Sequence, residues 1–297
     1  MKKCRASVVW AMVVLAVLGM SLGAAAEQYD GFSYEAHYVT YDRAAVEGWT
    51  AMDYAETTGV LLSMYSDTAE VSVSLMARSD APTLDALAEQ QVASVSSYGT
   101  VLSNVEKGAW YAPWLDSEPG LRAAYSYAFL NGTGEDVYQV VDYMAPLDDD
   151  NYVLVKLTDR SGDVERTASA LEAGLLEGFG IGSFSVTGSV SAYLTGASEK
   201  DGQVYLTLQP FEVEMDEDQL DYSVKITGET QVTPLSPEAR MLAPQGGDLG
   251  MLQDVTLTAD AINAFIDGYR SSNGTDCVFN ILMSDGMARW ITYSYLY

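Results

Sequence analysis

Two tryptophans and a tyrosine lie in one short stretch of the chain beside a carboxylate. They are Trp110, Tyr111 and Trp114, followed by Asp116. If exposed, the rings would form a stacking platform for sugars or a protein-binding hot spot, because flat aromatic faces bury a large area at low entropy cost. Trp110 and Trp114 would also share one face of a strand, which favours a place in the core. Both interpretations stay open, and these four residues are the candidate binding site.

A run of carboxylates in the second half of the chain is a candidate metal site. Glu212, Glu214 and Asp216 occupy alternate positions and would point the same way on a strand, with Asp218 close behind. Such a cluster suits Ca²⁺, which takes about 6 to 8 oxygen ligands. The run lacks the residue spacing of a calcium-binding EF-hand loop. A solvated acidic turn is therefore the alternative interpretation.

Neighbouring carboxylates could also support hydrolysis of glycans. The candidates are Asp148, Asp149 and Asp150, and the pair Asp116 and Glu118. A glycoside hydrolase holds two acids about 5 to 9 Å apart across the bond it cleaves, which adjacent turn residues seldom achieve. Turn formation explains these aspartates. A carboxylate-dependent secreted hydrolase acting on glycans is thus the alternative function.

Histidine and cysteine are too scarce for several kinds of enzyme. The chain has one histidine, His37, and two cysteines. A zinc site built from these residue types needs three or four ligands, and a Ser-His-Asp triad would have to use His37 in a predicted strand. Cys277 opens an apolar run, which predicts a buried structural thiol. We expect no cofactor, and we regard a catalytic role as less favoured than binding.

The elements that must position these residues fall into two halves, and the first is rich in strands. Aromatic residues at alternate positions predict an opening strand that includes His37, and regular alternation of apolar and polar residues predicts a strand over residues 69–77. Thr83 is placed to cap an amphipathic helix that reaches Tyr98. Four strands joined by short turns follow over residues 109–158, and a second helix is predicted over residues 162–179.

This order of elements resembles the PsbP/Mog1 family of small domains. The residues that carry the resemblance are the aromatic strand 32–41, the threonine-led helix 83–98, the strands 121–130, 137–145 and 152–158, and the closing segment 171–179. The resemblance covers residues 28–182. It implies an antiparallel sheet sandwiched by helices, and a non-catalytic scaffold that binds other proteins or envelope components.

The second half, residues 183–297, is predicted to be a smaller β-rich α+β domain. Asp201-Gly202 and Asp285-Gly286 are typical of tight turns between strands. Thr258 is placed to cap a helix. Three prolines within residues 229–257 predict a long loop. An OB-like barrel and an open α+β sheet both fit this element order.

The first 26 residues predict export. Lys2, Lys3 and Arg5 precede an apolar run from Val8 to Met20, and Ala24-Ala25-Ala26 supplies the small residues of a signal-peptide cleavage site. The run is shorter than the ~20 residues that span a bilayer. Cys4 precedes the run, so it cannot carry a lipid at the cleavage point. We expect a secreted or extracytoplasmic protein without a membrane anchor after cleavage near Ala26.

The net charge limits the class of partner. The charge is −27, and loss of the three basic residues of the signal would make it more negative. Such a surface repels phosphate backbones and anionic lipid headgroups, so neither nucleic acid nor a membrane surface is expected as a partner. We therefore expect an exported binding or assembly module at a bacterial-type cell envelope, with a protein or an envelope component as its partner.

Overall fold

The computed structural model describes residues 33–56, 59–111, 119–131, 134–216, 221–245 and 248–294. The chain forms two compact units. The first unit contains Tyr34–Ser185 and Leu242–Gln253, and the second contains Val186–Met241 and Asp254–Tyr297. The predicted signal peptide lies outside the described residues.

The first unit contains a large antiparallel sheet, a small sheet and two helices. Its strands are β1 (Tyr34–Thr40), β2 (Thr50–Asp53), β3 (Ala55–Glu56), β4 (Gly59–Tyr65), β5 (Ala69–Ala77), β6 (Thr100–Val101), β7 (Glu106–Trp110), β8 (Gly120–Asn131), β9 (Gly134–Pro146), β10 (Asn151–Asp159) and β11 (Gly180–Val186). Its helices are α1 (Leu84–Val95) and α2 (Val164–Leu171). The large sheet runs in the order β2-β4-β5-β10-β9-β8-β6, with β7 also paired to β8, and the small sheet runs β11-β1-β3.

The two helices pack on opposite faces of the large sheet. The side chains of β10 show this arrangement, because successive side chains of a strand point to opposite faces of the sheet. Val155 and Leu157 share a buried cluster with α2, whereas Leu154 shares another with α1. This packing agrees with the expected arrangement of a sheet between helices.

The starts of the helices follow local sequence signals. As predicted, Thr83 caps α1, where its Oγ1 accepts a hydrogen bond of 3.1 Å from the amide of Ala86. Helix α2 is shorter than predicted and continues as a π-helical turn, Glu172–Leu176. Within that turn, a Cβ on Gly174 would lie 2.7 Å from the carbonyl oxygen of Ala45. The absent side chain at Gly174 therefore lets this turn approach the short 3-10 helix Arg43–Val46.

The second unit contains a closed ring of five strands. Its elements are β12 (Gly188–Lys200), β13 (Gln203–Asp216), β14 (Asp221–Ile226), most of β15 (Gln231–Gln245), helix α3 (Ala259–Asn273), β17 (Cys277–Ser284) and β18 (Met287–Tyr293). The last residues of β15 and nearly all of β16 (Asp248–Asp254) belong to the first unit. The sheet runs β14-β13-β12-β17-β18-β15-β16, and β13 also pairs with β15. That additional pairing closes a five-stranded barrel.

Turns and caps of the second unit confirm the sequence predictions. Asp201, Gly202, Asp285 and Gly286 all have positive φ, as the tight turns at these positions require. Thr258 caps α3 through a 3.2 Å hydrogen bond from the amide of Ala261.

The predicted loop over residues 229–257 is wrong. The segment forms β15 and β16. Its prolines and glycines indicated a loop, but Leu235, Met241 and Leu242 are buried and supply the apolar contacts of a strand. Proline lacks only the amide donor, so a strand tolerates it where no ladder hydrogen bond is needed at that residue.

Candidate binding surface

The aromatic stretch of the first unit is divided between core and surface. Trp110 ends β7, is 8% exposed, and has its ring centroid 5.2 Å from that of Tyr143. Tyr111, the next residue, is 78% exposed. Trp114 and Asp116 lie outside the described residues. Trp110 is therefore a core residue, and Tyr111 is the one described member of the group that faces solvent.

The acidic run starts on a strand, as its spacing predicts. Glu212, Glu214 and Asp216 lie at alternate positions of β13, and Glu212 is exposed. Asp218 lies outside the described residues. Within the described ranges no group of three or more His, Cys, Asp or Glu side chains is arranged to hold a metal ion.

The carboxylates between β9 and β10 stabilise a turn. One Oδ of Asp148 accepts hydrogen bonds from the backbone amides of Asp150 at 2.8 Å and Asn151 at 2.7 Å. This is the local side-chain-to-backbone pattern of an aspartate turn, as expected from the sequence. Asp116 and Glu118, the other pair considered for hydrolysis, lie outside the described residues.

His37 and Cys277 both lie in strands. His37 is half-buried in β1, opposite Glu56 of β3. Cys277 is 1% exposed, and burial raises the pKa of its thiol to about 12. A thiol with such a pKa stays protonated and is a poor nucleophile, so the prediction of a buried structural cysteine is confirmed.

The most distinctive polar feature of the first unit is a row of side chains that crosses the large sheet. The strand register places Ser63 opposite Ser72, Ser72 opposite Lys156, and Lys156 opposite Asp142. The next row along the strands pairs Tyr65 with Glu70 and Glu70 with Thr158. All of these residues lie on the α1 side of the sheet, because their positions alternate with those that contact α2.

Helix α1 covers only part of this face. Its apolar contacts are with β8, β9 and the nearer part of β10 and β5, including Ala123, Met144 and Leu154. The remaining part, which we call the open face, consists of Ser63, Tyr65, Glu70, Ser72, Lys156 and Thr158. All of these side chains are half-buried except Ser63, which is buried. The open face is therefore a strand surface made of hydroxyl groups, one tyrosine and two opposite charges.

A buried carboxylate lies where the open face meets α1. Asp142 is 0% exposed, and the hydroxyl of Tyr125 donates a hydrogen bond of 3.2 Å to its Oδ2. The Nζ of Lys156 lies 4.0 Å from Asp142 Oδ1 and donates a hydrogen bond of 2.9 Å to Oε1 of Gln91 on α1. We call these four residues the Asp142 bridge, since they connect β8, β9, β10 and α1.

Burial determines the electrostatics of the Asp142 bridge. It raises the pKa of Asp142 to about 6, although the charge of Lys156 and the hydrogen bond from Tyr125 act to lower it. Burial and the nearby Asp142 raise the pKa of Tyr125 far above its usual range. Asp142 is thus the member of the bridge that can gain or lose a proton under mildly acidic conditions.

Three further tyrosines lie beside the bridge. The rings of Tyr127 and Tyr138 stack with centroids 5.1 Å apart, and Tyr98 contacts Tyr127 edge-on at 5.9 Å. Tyr98 is 53% exposed. This stack extends the aromatic character of the α1 side of the sheet to the surface.

The Asp142 bridge was absent from the sequence predictions, although a signal for it exists. Asp142 and Lys156 are opposite charges that interrupt apolar runs in two consecutive predicted strands. Charged residues are rarely fully buried unless they are paired. Their pairing depends on the register of β9 and β10, which local patterns do not determine.

Comparisons with known proteins give a similarity among solved structures. No family model matches the chain, and no curated protein matches it. Among solved structures, the solution structure of the cyanobacterial PsbP (CyanoP) from Synechocystis sp. PCC 6803 matches at 13% sequence identity and a TM-score of 0.28. Part of this chain is similar to PsbP. The match covers 55% of this chain and 99% of that chain, and it is to the family that the sequence analysis named. The architecture of the first unit is established by its own strand order and helix packing.

No helix in the described ranges combines the length and the apolar character needed to cross a membrane.

Proposed function

We propose that this chain is an exported, non-catalytic binding or assembly module of a bacterial-type cell envelope, and that its first unit binds a protein partner through the open face. The observation that carries this proposal is the composition of the open face. Tyr65 offers a rigid amphipathic ring, and Ser63, Ser72 and Thr158 offer adaptable hydroxyl groups. Tyrosine and serine are the residues that dominate protein-binding surfaces of antibodies, for the same physical reasons.

The charge of the chain supports a particular class of partner. At a net charge of −27, association is favoured with a protein that presents a basic or neutral surface, because complementary potentials raise the rate of encounter. The positive residues, the apolar run and the small residues at the start of the sequence support export by a cleaved signal peptide.

We propose that the barrel of the second unit is OB-like and serves as a scaffold. It has five strands in a closed ring, with α3 between the third and fourth ring strands. Ligand sites of OB folds use the loops that follow the first and fourth strands. In this chain those loops are the tight turns at Asp201-Gly202 and Asp285-Gly286, which leave little loop surface for a ligand.

A position-specific crosslinking experiment tests the proposal. A photoreactive phenylalanine analogue replaces Tyr65 on the open face or, as a matched control, Tyr205, which is also half-buried in a strand but lies in the barrel. The mature protein is then irradiated in the native envelope. We expect one discrete protein adduct from position 65 that is absent from position 205.

Two results would reject the proposal. One is the same set of adducts from both positions, or none from position 65. The other is turnover of soluble glycans by the mature protein, which would favour the alternative of a carboxylate-dependent hydrolase.

A further inference from the structure

A buried polar chain of contacts joins α1 to the sheet, in addition to the surface ion pair between Lys107 of β7 and Asp85 of α1. Gln91 is 8% exposed and accepts the hydrogen bond of Lys156, whose side chain is 22% exposed at the edge of the open face. The same ammonium faces Asp142 Oδ1 from 4.0 Å, and this oxygen has no hydrogen-bond partner within the described ranges. Lys156 therefore sits between a buried acid and the surface.

The position of the ammonium depends on the charge of that acid. As a carboxylate, Asp142 attracts Lys156 across a poorly solvated gap, where such attraction is stronger than in water. When a proton from solvent converts the carboxylate to a carboxylic acid, this attraction disappears. Among the contacts of the described residues, the hydrogen bond to Gln91 is then left to restrain the ammonium. A long lysine side chain at the edge of a surface then gains by moving its charged end towards water.

We propose that Asp142 and Lys156 form a proton-operated switch, in which protonation of Asp142 releases the Lys156 ammonium from beneath α1 and presents it on the open face. The switch rests on the proposed function, because it would regulate binding at the same open face. Protonation adds one positive charge beside that surface, so binding of a basic partner weakens as the pH falls.

The groups around Asp142 are compatible with this switch. Lys156 faces it from β10, Tyr125 from β8, and Tyr98 from the segment after α1, while Gln91 of α1 is neutral. Burial raises the pKa of both tyrosines, so they stay uncharged in mild acid. Because burial holds the pKa of Asp142 at about 6, Asp142 changes charge in the range where the switch is expected to act.

Glu70 is the group that could imitate the effect. It lies in the neighbouring row of the open face, and burial raises its pKa as well. A Glu70→Gln variant therefore serves as the control for any pH response of Lys156.

The test is an NMR titration of the mature full-length chain from pH 4.5 to 8, without any partner, which follows the side-chain ¹³Cε resonance of Lys156. We expect a shift with a midpoint near pH 6, present in Glu70→Gln and abolished in Asp142→Asn. Tyr125→Phe should move the midpoint to higher pH, because it removes the hydrogen bond that stabilises the carboxylate.

The results that would overturn the switch differ from those that would reject the binding role. A Lys156 resonance that does not change over this range, or a midpoint that disappears in Glu70→Gln, would overturn the switch. If Asp142→Asn fails to fold, the wild-type curve and the direction of the Tyr125→Phe shift still decide the question. Since no partner is present, a failed titration rejects the switch alone, whereas failed crosslinking at position 65 rejects the binding role.

Discussion

The two faces of the large sheet are made by the same strands but have opposite chemistry. Beneath α2, β10 contributes Val153, Val155 and Leu157, all fully or nearly fully buried. On the α1 side, the intervening position holds Lys156, next to the buried Asp142. Because successive side chains of a strand point to opposite faces, the same strands can build an apolar core on one face and a polar surface on the other. The α2 face supplies stability, and the part of the α1 face that the helix leaves uncovered is the surface that we propose binds a partner.

The largest effect is expected from a truncation on the α2 face. Leu157 is 0% exposed within the cluster beneath α2. Leu157→Ala should lower the free energy of unfolding by about 2–5 kcal/mol, because it removes buried methyl groups and leaves a cavity. Urea unfolding followed by circular dichroism measures the loss. A change below about 1 kcal/mol would contradict the assignment of this face to the core.

The Asp142 bridge should give the first unit an unusual dependence on pH. The folded-state pKa of Asp142, about 6, is raised above its unfolded value. Its favourable contribution to stability is therefore fully present below the unfolded pKa and is lost as the pH rises through 6.

The difference in unfolding free energy between wild type and Asp142→Asn isolates this effect. We expect the difference to change by about 3 kcal/mol between pH 3.5 and pH 7.5, to the disadvantage of wild type at the higher pH. Urea unfolding at several pH values measures it. A difference that stays constant with pH would mean that Asp142 has an ordinary carboxyl pKa.

Two glycines differ in the space that a side chain would find: Gly174 is closely packed, and Gly268 faces open space. Gly174→Ala should destabilise the protein by about 1–3 kcal/mol, because its Cβ would meet the backbone oxygen of Ala45 at 2.7 Å. Gly268 lies in α3, and a Cβ there meets nothing within 4 Å. Gly268→Ala should therefore raise stability by about 0.5–1 kcal/mol. Thermal melts of the two variants should shift in opposite directions, and a shared direction would refute this account of the turn after α2.

Local signals were sufficient to predict several elements of the fold. Thr83 and Thr258 have the side-chain oxygen that an exposed amide at a helix start requires, and Asp-Gly pairs tolerate the positive φ of tight turns. Strand β5 was recognised because one of its faces is buried and the other is not, which leaves a period of two in the sequence. In each case the deciding interaction lies within a few residues.

Features that depend on distant residues were missed. The segment that forms β15 and β16 carries proline and glycine, and the buried contacts of Leu235 and Met241 outweigh those local signals. The contact between Asp142 and Lys156 exists because β9 and β10 pair in one register rather than another. A shift of one residue in this register would place the two side chains on opposite faces of the sheet, so the site is a product of tertiary structure.

The smallest effect on stability is expected at the open face, where the effect on binding should be largest. Ser72→Arg adds a long side chain to a half-buried position of β5, and Ser189→Arg makes the same change at an exposed position of β12 in the barrel. Both variants should unfold within about 0.5 kcal/mol of wild type, as is usual for surface substitutions.

The recovery of the crosslinked partner by these two variants tests the binding role of the open face most directly. With each variant used as bait at equal concentration in the native envelope, we expect Ser189→Arg to retain the partner at the wild-type level. Ser72→Arg should lose it at least tenfold while remaining folded. Equal recovery by the two variants would contradict the claim that the open face is the binding surface.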